Sequence, residues 1–420
     1  MNFDLTASDD EILLTFRDLI TITGWEPWAA RLRSFHQQAN ENPLMREFIA
    51  ERYSLELQMD RLHRRIQQGL SLRLPVLASE IALISFLTMV SRTYARLSDG
   101  GKKRIAGMLR GSLKNDDGLA TLQHEMTVLA HLMHQGFDVE LSDIENGGGC
   151  DFVARNGDLH IEVECKNFSA DVGRKIHRKP MYQLGGKLLP LMLDAQKRQT
   201  GFQLVSIALP NRLETSDEQT KKILSAVTAA INRQKGPVPL LGTGEVQYQV
   251  SDTLEDPFVS MSGDNLDREA IRRYLDDKFG ISAAHAMVYG NRRSIVVINV
   301  ESRQSDKVMT GLMAQLKSAV KGQLSGSRPA MLCVRFADIT EEELVKVADH
   351  DEAGGVSALQ RATSYLLNRQ DWKPVHTIAY FAPGRVERGE RNAQERGLAY
   401  SFVNTAHEMA EDPRLLKIFG

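Results

Sequence analysis

Apolar residues recur at helical spacing from about residue 9 to about residue 112. The first examples are Ile12, Leu13, Phe16 and Leu19. Intervals of three and four residues place side chains on one face of a helix. The run from Pro75 to Leu97 is apolar nearly all round, which indicates a central helix buried by its neighbours. Residues 1–112 are therefore predicted to form an all-helical N-terminal domain.

The pattern changes after Gly118, where one more helical stretch is followed by short runs typical of β-strands. Asn156-Gly157 between two such runs indicates a hairpin. The predicted elements are a helix at 119–135, strands at 137–141, 150–155 and 159–165, a helix at 181–197 and a strand at 203–209. This α-β-β-β-α-β order predicts an α/β core over residues 113–240.

Residues 241–420 are predicted to form a mixed α/β C-terminal extension. Strands at 286–289, 294–300 and 330–336, a helix at 306–324, a strand at 376–381, a charged loop at 385–396 and a last helix are expected. Val300-Glu301-Ser302-Arg303 resembles Val163-Glu164-Cys165-Lys166. A duplication would explain this likeness, but the simpler hypothesis is that the later strands extend the same sheet.

The charge of the chain sets a condition on any nucleic-acid site. A net charge of −2 gives no global field that attracts a polyanion, so such a site must be local. Of two basic stretches, at 102–114 and 174–187, the second lies close to the motif described below. Its candidate nucleic-acid contacts are Arg174, Lys175, Arg178, Lys179 and Lys187. A solvated helix face is the ordinary alternative for both stretches.

Several features predict a cytoplasmic chain without a membrane partner. The first residues are acidic where a signal peptide is basic. The most apolar stretch, Ile81 to Val90, is much shorter than the roughly 20 residues that span a bilayer. The three cysteines form neither a paired disulfide framework nor a close-spaced zinc cluster, and are expected to be buried thiols.

The strand at 159–165 carries an unusual row of charges. Because strand side chains alternate, Glu162, Glu164 and Lys166 share one face, and the other face is apolar. Burying such a row is costly unless a cation or a ligand compensates it. Asp151 lies across the hairpin, so that its carboxylate and that of Glu164 are expected to converge. The alternative is an exposed ionic sheet face of little energetic weight.

Two converging carboxylates favour a hard divalent cation, Mg²⁺ or Mn²⁺. Asp151, Glu164 and the backbone carbonyl of Cys165 are the predicted ligands. Such an ion supports phosphodiester hydrolysis, in which the ammonium of Lys166 would stabilise charge developing on the phosphorus.

The motif itself is Gly149-Cys150-Asp151, twelve residues, then Glu164-Cys165-Lys166. It resembles the PD-(D/E)xK nuclease superfamily, with Cys150 at the position of the proline, over about 100 of the 420 residues. The resemblance implies a restriction-endonuclease-like fold and a metal-dependent endonuclease acting on DNA. It also implies that Glu125, on the first core helix, and Gln183, on the helix after the motif, join the catalytic residues.

Other functions remain open at this point. A catalytically inactive DNA-binding or assembly module, an RNase with the same site, and a structural α/β protein are the alternatives. Defence against foreign DNA is the biological setting that the resemblance favours. A homo-oligomer or protein partner is expected to bind through the helical N-terminal or the C-terminal region. His124, His131 and His134 on one helix are interpreted as ordinary helix residues, because no matching carboxylate pattern accompanies them.

Overall fold

The structure is a computed structural model of a mixed α/β protein. It describes residues 8–419 apart from 73–77, 170, 198–200, 235, 252–267, 282–284, 292–293, 338–340, 350–354, 383–384, 389–392 and 397–398. The chain divides into two compact units. Unit 1 comprises Met1–Ser34, Glu51–Val172 and Met309–Gly420, and unit 2 comprises Phe35–Ala50 and Gly173–Val308. Residue 112, near one predicted boundary, lies inside unit 1, and residue 240, near the other, lies inside unit 2.

The elements before residue 135 are all helical. They are α1 (Asp9–Thr23), α2 (Glu26–Glu41), α3 (Met45–Arg52), α4 (Ser54–Gln67), α5 (Ala78–Arg96), α6 (Asp99–Ser112) and α7 (Ala120–His134). The predicted central helix is α5, which contacts α1, α4, α6 and α7. In the part of the chain that the structure describes, no helix is long and apolar enough to cross a bilayer.

Thirteen strands follow in the described residues. They are β1 (Asp138–Glu140), β2 (Phe152–Asn156), β3 (Leu159–Phe168), β4 (Gly201–Leu209), β5 (Val238–Leu240), β6 (Gly244–Ser251), β7 (Ala286–Asn291), β8 (Ser294–Ser302), β9 (Ala330–Phe336), β10 (Val375–Phe381), β11 (Arg385–Arg388), β12 (Ala393–Arg396) and β13 (Ala399–Val403). The helices between and after them are α8 (Ser142–Asn146), α9 (Arg178–Gln196), α10 (Asp217–Arg233), α11 (Arg268–Phe279), α12 (Val308–Gln323), α13 (Glu341–Ala348), α14 (Ala358–Leu367) and α15 (Pro413–Leu416).

Unit 1 contains a mixed six-stranded sheet in the order β1-β2-β3-β9-β10-β13. β3 lies near its centre, antiparallel to β2 and parallel to β9. A central strand of this kind is covered on both faces. The row of charged residues on β3 therefore lies in the interior of the sheet and not on an edge strand.

The prediction that the strand at 203–209 completes this sheet is wrong. That strand is β4, which pairs with β6 and β8 in the five-stranded sheet β5-β6-β4-β8-β7 of unit 2. The position beside β3 belongs to β9, which comes from beyond residue 240. Both strands are apolar runs after a helix, and such runs do not specify their own partner. The later strands extend the first sheet only in part, since β7 and β8 lie in the second.

Some strands fall where none was predicted. β5, which contains Pro239, is an edge strand, where proline's missing N–H costs no ladder hydrogen bond. The segment 385–396, predicted as a charged loop, contains the paired strands β11 and β12. Strand β13 also precedes the last helix. Charged and proline-containing segments lack the apolar alternation on which strand prediction depends.

The helices and the sheet of unit 1 share one apolar core. It contains Leu19 from α1, Leu87 from α5, Leu129 from α7 and Val163 from β3, all buried. The N-terminal helices therefore pack against the face of β3 that carries Ile161, Val163 and Cys165. This packing fixes the strand and so positions the side chains that alternate to its other face.

Candidate active site

Two of the three charged residues in the row on β3 are buried, so the cost of burying a charge applies to them. Glu162 and Glu164 are both buried, and Glu164 is 0% exposed. The neighbouring apolar side chains of β3 are buried as well. The alternative of an exposed ionic sheet face is therefore wrong for these two glutamates. Each needs a compensating partner, and the two differ in what they have.

Glu162 is compensated by groups that follow α12. Its Oε2 accepts a hydrogen bond from the backbone N–H of Ser325 at 2.8 Å, and its Oε1 lies 3.9 Å from Nη1 of Arg328. These contacts satisfy the carboxylate within the fold. Glu162 is therefore a structural residue of the sheet.

Asp151 lies directly opposite Glu164. The antiparallel register of β2 and β3 pairs Phe152 with Val163, and one further residue along each strand places Asp151 across from Glu164. Oδ2 of Asp151 accepts a hydrogen bond from the backbone N–H of Cys165 at 2.6 Å. This bond holds the aspartate side chain against β3, beside Glu164.

Glu164 is only half satisfied. Its Oε1 lies 2.5 Å from Nζ of Lys166, whereas its Oε2 is buried without a hydrogen-bond partner among the described residues. A buried carboxylate oxygen without a partner is costly and rare. The Lys166 side chain is 26% exposed, so its ammonium group connects the buried carboxylate with the surface.

Burial raises the pKa values of both carboxyls, and the charge of Asp151 raises that of Glu164 further. The pKa of Asp151 is raised to about 6, chiefly by burial, against the lowering effects of the Cys165 amide and Lys166. The pKa of Glu164 is raised to about 7 by burial and then by the charge of Asp151, while Lys166 opposes the shift. Two adjacent carboxyls that are hard to ionise together are a typical feature of a functional site.

Glu125 is drawn into the same electrostatic site. It lies on α7, is 8% exposed, and has a pKa well above its usual range because of burial and then the charges of Asp151 and Glu164. Among the residues that the structure describes, however, no group of three or more acidic, histidine or cysteine side chains is placed to hold a metal ion. Glu125 is thus near the two carboxylates without being a preassembled third ligand.

The sequence singled out neither Asp143, which lies near the site, nor Asn167, which lies on β3 but on its other face. Asp143, on the short helix α8, raises the pKa of both Glu125 and Asp151. Asn167, next to Lys166, has an Oδ1 that is buried without a partner among the described residues. Alternation along β3 places Asn167 on the face opposite Lys166, and no pattern in the sequence connects Asp143 with the motif.

The other predicted site residues lie in unit 2. Gln183, Lys187, Arg178 and Lys179 are on α9, and Arg174 and Lys175 directly precede it. Asp151, Glu164 and Lys166 all belong to unit 1. The helix that follows the motif leads into β4 of the second sheet rather than back to the first. Roles for Gln183 in catalysis and for the basic residues in DNA binding stay predictions.

The histidines of α7 that point to backbone carbonyls are structural. Nε2 of His124 lies 2.9 Å from the carbonyl oxygen of Cys333, and burial lowers the pKa of His124 to about 3. His131 forms a hydrogen bond with the carbonyl of Ile418. These contacts agree with the interpretation of both as ordinary helix residues.

The similar segment 300–303 provides an internal comparison. It lies at the end of β8, which is parallel to β4 as β3 is parallel to β9. Glu301 is exposed there, and Nη2 of Arg303 lies 3.3 Å from Oε2 of Glu245 in a partly exposed ion pair. The same residue types in a comparable place therefore do not produce a buried carboxylate without a partner.

The ligand atoms at the candidate active site fit a hard divalent cation. Asp151 and Glu164 supply carboxylate oxygens, and Glu164 Oε2 has no hydrogen-bond partner among the described residues. Mg²⁺ is usually held by one or two carboxylates together with waters and substrate phosphate. The backbone amide of Cys165 donates to Asp151. The role of the Cys165 carbonyl as a further ligand stays a prediction. Comparison of the chain with family models, with curated proteins and with solved structures finds no match.

Proposed function

We propose that the chain is a divalent-metal-dependent endonuclease that hydrolyses phosphodiester bonds in DNA at Asp151, Glu164 and Lys166. The observation that carries the proposal is the buried, unpartnered Oε2 of Glu164, opposite Asp151 and beside Lys166. A fold that packs the buried carboxylate of Glu164 beside the partly buried one of Asp151 loses stability unless a ligand compensates them. Retaining such a pair is explained by function.

The three residues have separate roles in this proposal. Asp151 and Glu164 hold the cation, which when bound supplies charge that polarises the phosphodiester and activates a water for attack. The Cys165 amide orients Asp151 through its hydrogen bond. Lys166, partly exposed, contacts the phosphate and stabilises the negative charge that develops in the transition state. Glu125, on α7, lies close enough to the pair for the charges of Asp151 and Glu164 to raise its pKa after burial.

The connectivity of unit 1 supports the same family of nucleases. When β9 is counted in place of β4 and the short helix α8 between β1 and β2 is left aside, the chain runs α7, β1, β2, β3, α12, β9. This is the α-β-β-β-α-β order expected for a restriction-endonuclease-like core. Residues 173–308 are then an insertion between β3 and α12. Defence against foreign DNA is the setting that this resemblance favours.

Cleavage of closed circular plasmid DNA tests the proposal, because a circle has no ends and only an endonuclease opens it. We expect nicking or linearisation with Mg²⁺ and none with EDTA. Glu164→Gln should lower the rate at least about 10²-fold, because the cation loses a charged ligand. The matched control is Glu301→Gln on the similar segment, which should cleave at the wild-type rate.

The outcomes separate the alternatives. Equal cleavage in Mg²⁺ and EDTA, or wild-type activity of Glu164→Gln, would contradict the proposed site. Binding of DNA without cleavage would favour the inactive module. A single-stranded RNA assayed in parallel covers the RNase alternative, since the site attacks phosphodiesters and does not itself select the sugar. Cleavage of RNA alone would keep the site and change the substrate.

A further inference from the structure

Unit 2 contains a basic pocket that the proposed active site does not use. Its volume is about 640 Å³. Its lining includes Gly173, Arg174, Lys175, His177, Arg212 and Lys307. All of them belong to unit 2. The volume is in the range of sites that hold nucleotide-sized ligands.

Backbone hydrogen bonds hold the three segments of the pocket together. The N–H of Lys307 donates to the carbonyl of Gly173 at 2.7 Å, and the N–H of Leu213 donates to the carbonyl of Lys175 at 3.1 Å. Gly173 has φ +77°, and a Cβ there would lie 2.4 Å from the carbonyl oxygen of Lys307. Only glycine permits this approach. The basic side chains therefore extend from a fixed frame and not from separate loops.

The charges of the pocket are unbalanced. Arg174, Lys175, Arg212 and Lys307 line it together with one acidic residue, Glu214. In the described part of the chain none of the four basic side chains takes part in an ion pair. Nearby, Asp306 uses its Oδ1 to accept from the backbone N–H of Lys175 at 2.8 Å. Several converging cations that outnumber the acidic residues beside them favour a multiply charged anion.

The start of α9 adds to this preference. The helix begins at Arg178, and His177, at its N-cap position, makes no side-chain capping bond. His177 lines the pocket, so the positive end of the helix dipole opens on it. Apart from the imidazole of His177 the lining has no aromatic ring on which a base could stack. The pocket chemistry therefore selects phosphate groups rather than a base.

We propose that the basic pocket binds the phosphate groups of a nucleoside di- or triphosphate or of a phosphorylated nucleic-acid end. The two sources share a terminal phosphate group with two ionisable oxygens. Arg174 and Lys175 hold the ligand from the fixed frame, and Arg212 and Lys307 contact it from the exposed side. Nothing in this proposal requires cleavage by unit 1.

Calorimetric titration of the full chain in EDTA tests the proposal without any contribution from metal-dependent cleavage. The probes are pyrophosphate, ATP, adenosine, and one oligonucleotide with either a 5′-phosphate or a 5′-hydroxyl. We expect pyrophosphate and ATP, the phosphorylated oligonucleotide, or all three to bind, and adenosine not to bind. Binding of ATP without discrimination between the oligonucleotides identifies a nucleotide site. Preference for the 5′-phosphate identifies a strand-end site.

The double variant Arg212→Glu/Lys307→Glu should weaken binding at least about tenfold, since both exposed cations become repulsive. Its matched control is Lys221→Glu/Arg233→Glu, which makes the same charge change at exposed positions of α10 outside the pocket. The control should bind within about twofold of wild type, because screening weakens charges at a distance. No binding of any phosphorylated probe would overturn the proposal. So would equal affinities of the pocket variant and wild type, or equal losses in the pocket and control variants.

Discussion

Replacing Lys166 with alanine is expected to lower plasmid cleavage about 10²- to 10³-fold, which is the usual cost of losing one group that stabilises the transition state electrostatically. The fold should tolerate the change at pH 7. Lys166 neutralises Glu164, but burial already raises the pKa of Glu164 to about 7. Without the lysine the glutamate takes up a proton at small cost, so no uncompensated buried charge remains. Single-turnover cleavage and a melting curve at pH 7 measure the two effects.

The matched control for this variant is Arg303→Ala, in the similar segment directly after β8. Arg303 is partly exposed and pairs with Glu245, so its loss should leave cleavage unchanged and cost little stability. Full activity of Lys166→Ala with an unchanged melting temperature would remove Lys166 from the mechanism. A melting temperature that falls steeply in Lys166→Ala would mean that the lysine is needed for folding, and the loss of cleavage would then say nothing about catalysis.

The second large effect is expected for Asp151→Asn. Asparagine keeps the acceptor for the Cys165 amide and removes a charge whose pKa is raised from 3.8 to about 6 by burial. A raised pKa means that the folded protein binds the proton more tightly than the unfolded chain, so wild type loses stability as the pH rises from about 4 through 6. At pH 8 without metal, the variant should be more stable than wild type by up to about 3 kcal/mol.

Divalent metal should narrow this difference. With Mg²⁺ about 100-fold above its dissociation constant, wild type gains about 2 to 3 kcal/mol, and Asp151→Asn gains much less because one charged ligand is missing. Denaturant unfolding of both proteins at pH 4 and at pH 8, each with EDTA and with Mg²⁺, measures these stabilities. Equal stabilities of the two proteins at pH 8 in EDTA would contradict the buried charge of Asp151. Equal gains from Mg²⁺ would place the cation elsewhere.

The local geometry of the site follows from the sequence. Alternation on β3 separates Glu164 and Lys166 from Val163 and Cys165, because strand side chains have a period of two. The two-residue turn Gly157-Asp158 fixes the hairpin register, and this register, continued by one residue, places Asp151 opposite Glu164. Both features depend on residues less than twenty positions apart. They are therefore encoded in a short segment, and the burial of Glu164 is the tertiary consequence.

The partner of β3 could not be predicted in the same way. β4 and β9 are both apolar strands that follow a helix, and only packing over the whole chain decides that β9 lies beside β3. The chain passes through residues 173–308 before it returns. Local patterns do not record contacts across such a separation. The basic pocket has the same origin, since Arg174, Arg212 and Lys307 come from three distant segments.

The location of Mn²⁺ in a crystal tests the central claim most directly, because anomalous scattering identifies the ion without reference to activity. The account predicts a peak between Asp151 and Glu164, within about 2.0 to 2.6 Å of an oxygen of each carboxylate. Crystals of the Asp151→Asn variant, treated in the same way, should lack this peak. Carboxyl groups more than about 8 Å apart, or Mn²⁺ bound elsewhere with none between Asp151 and Glu164, would contradict the claim that this pair holds the cation of a nuclease.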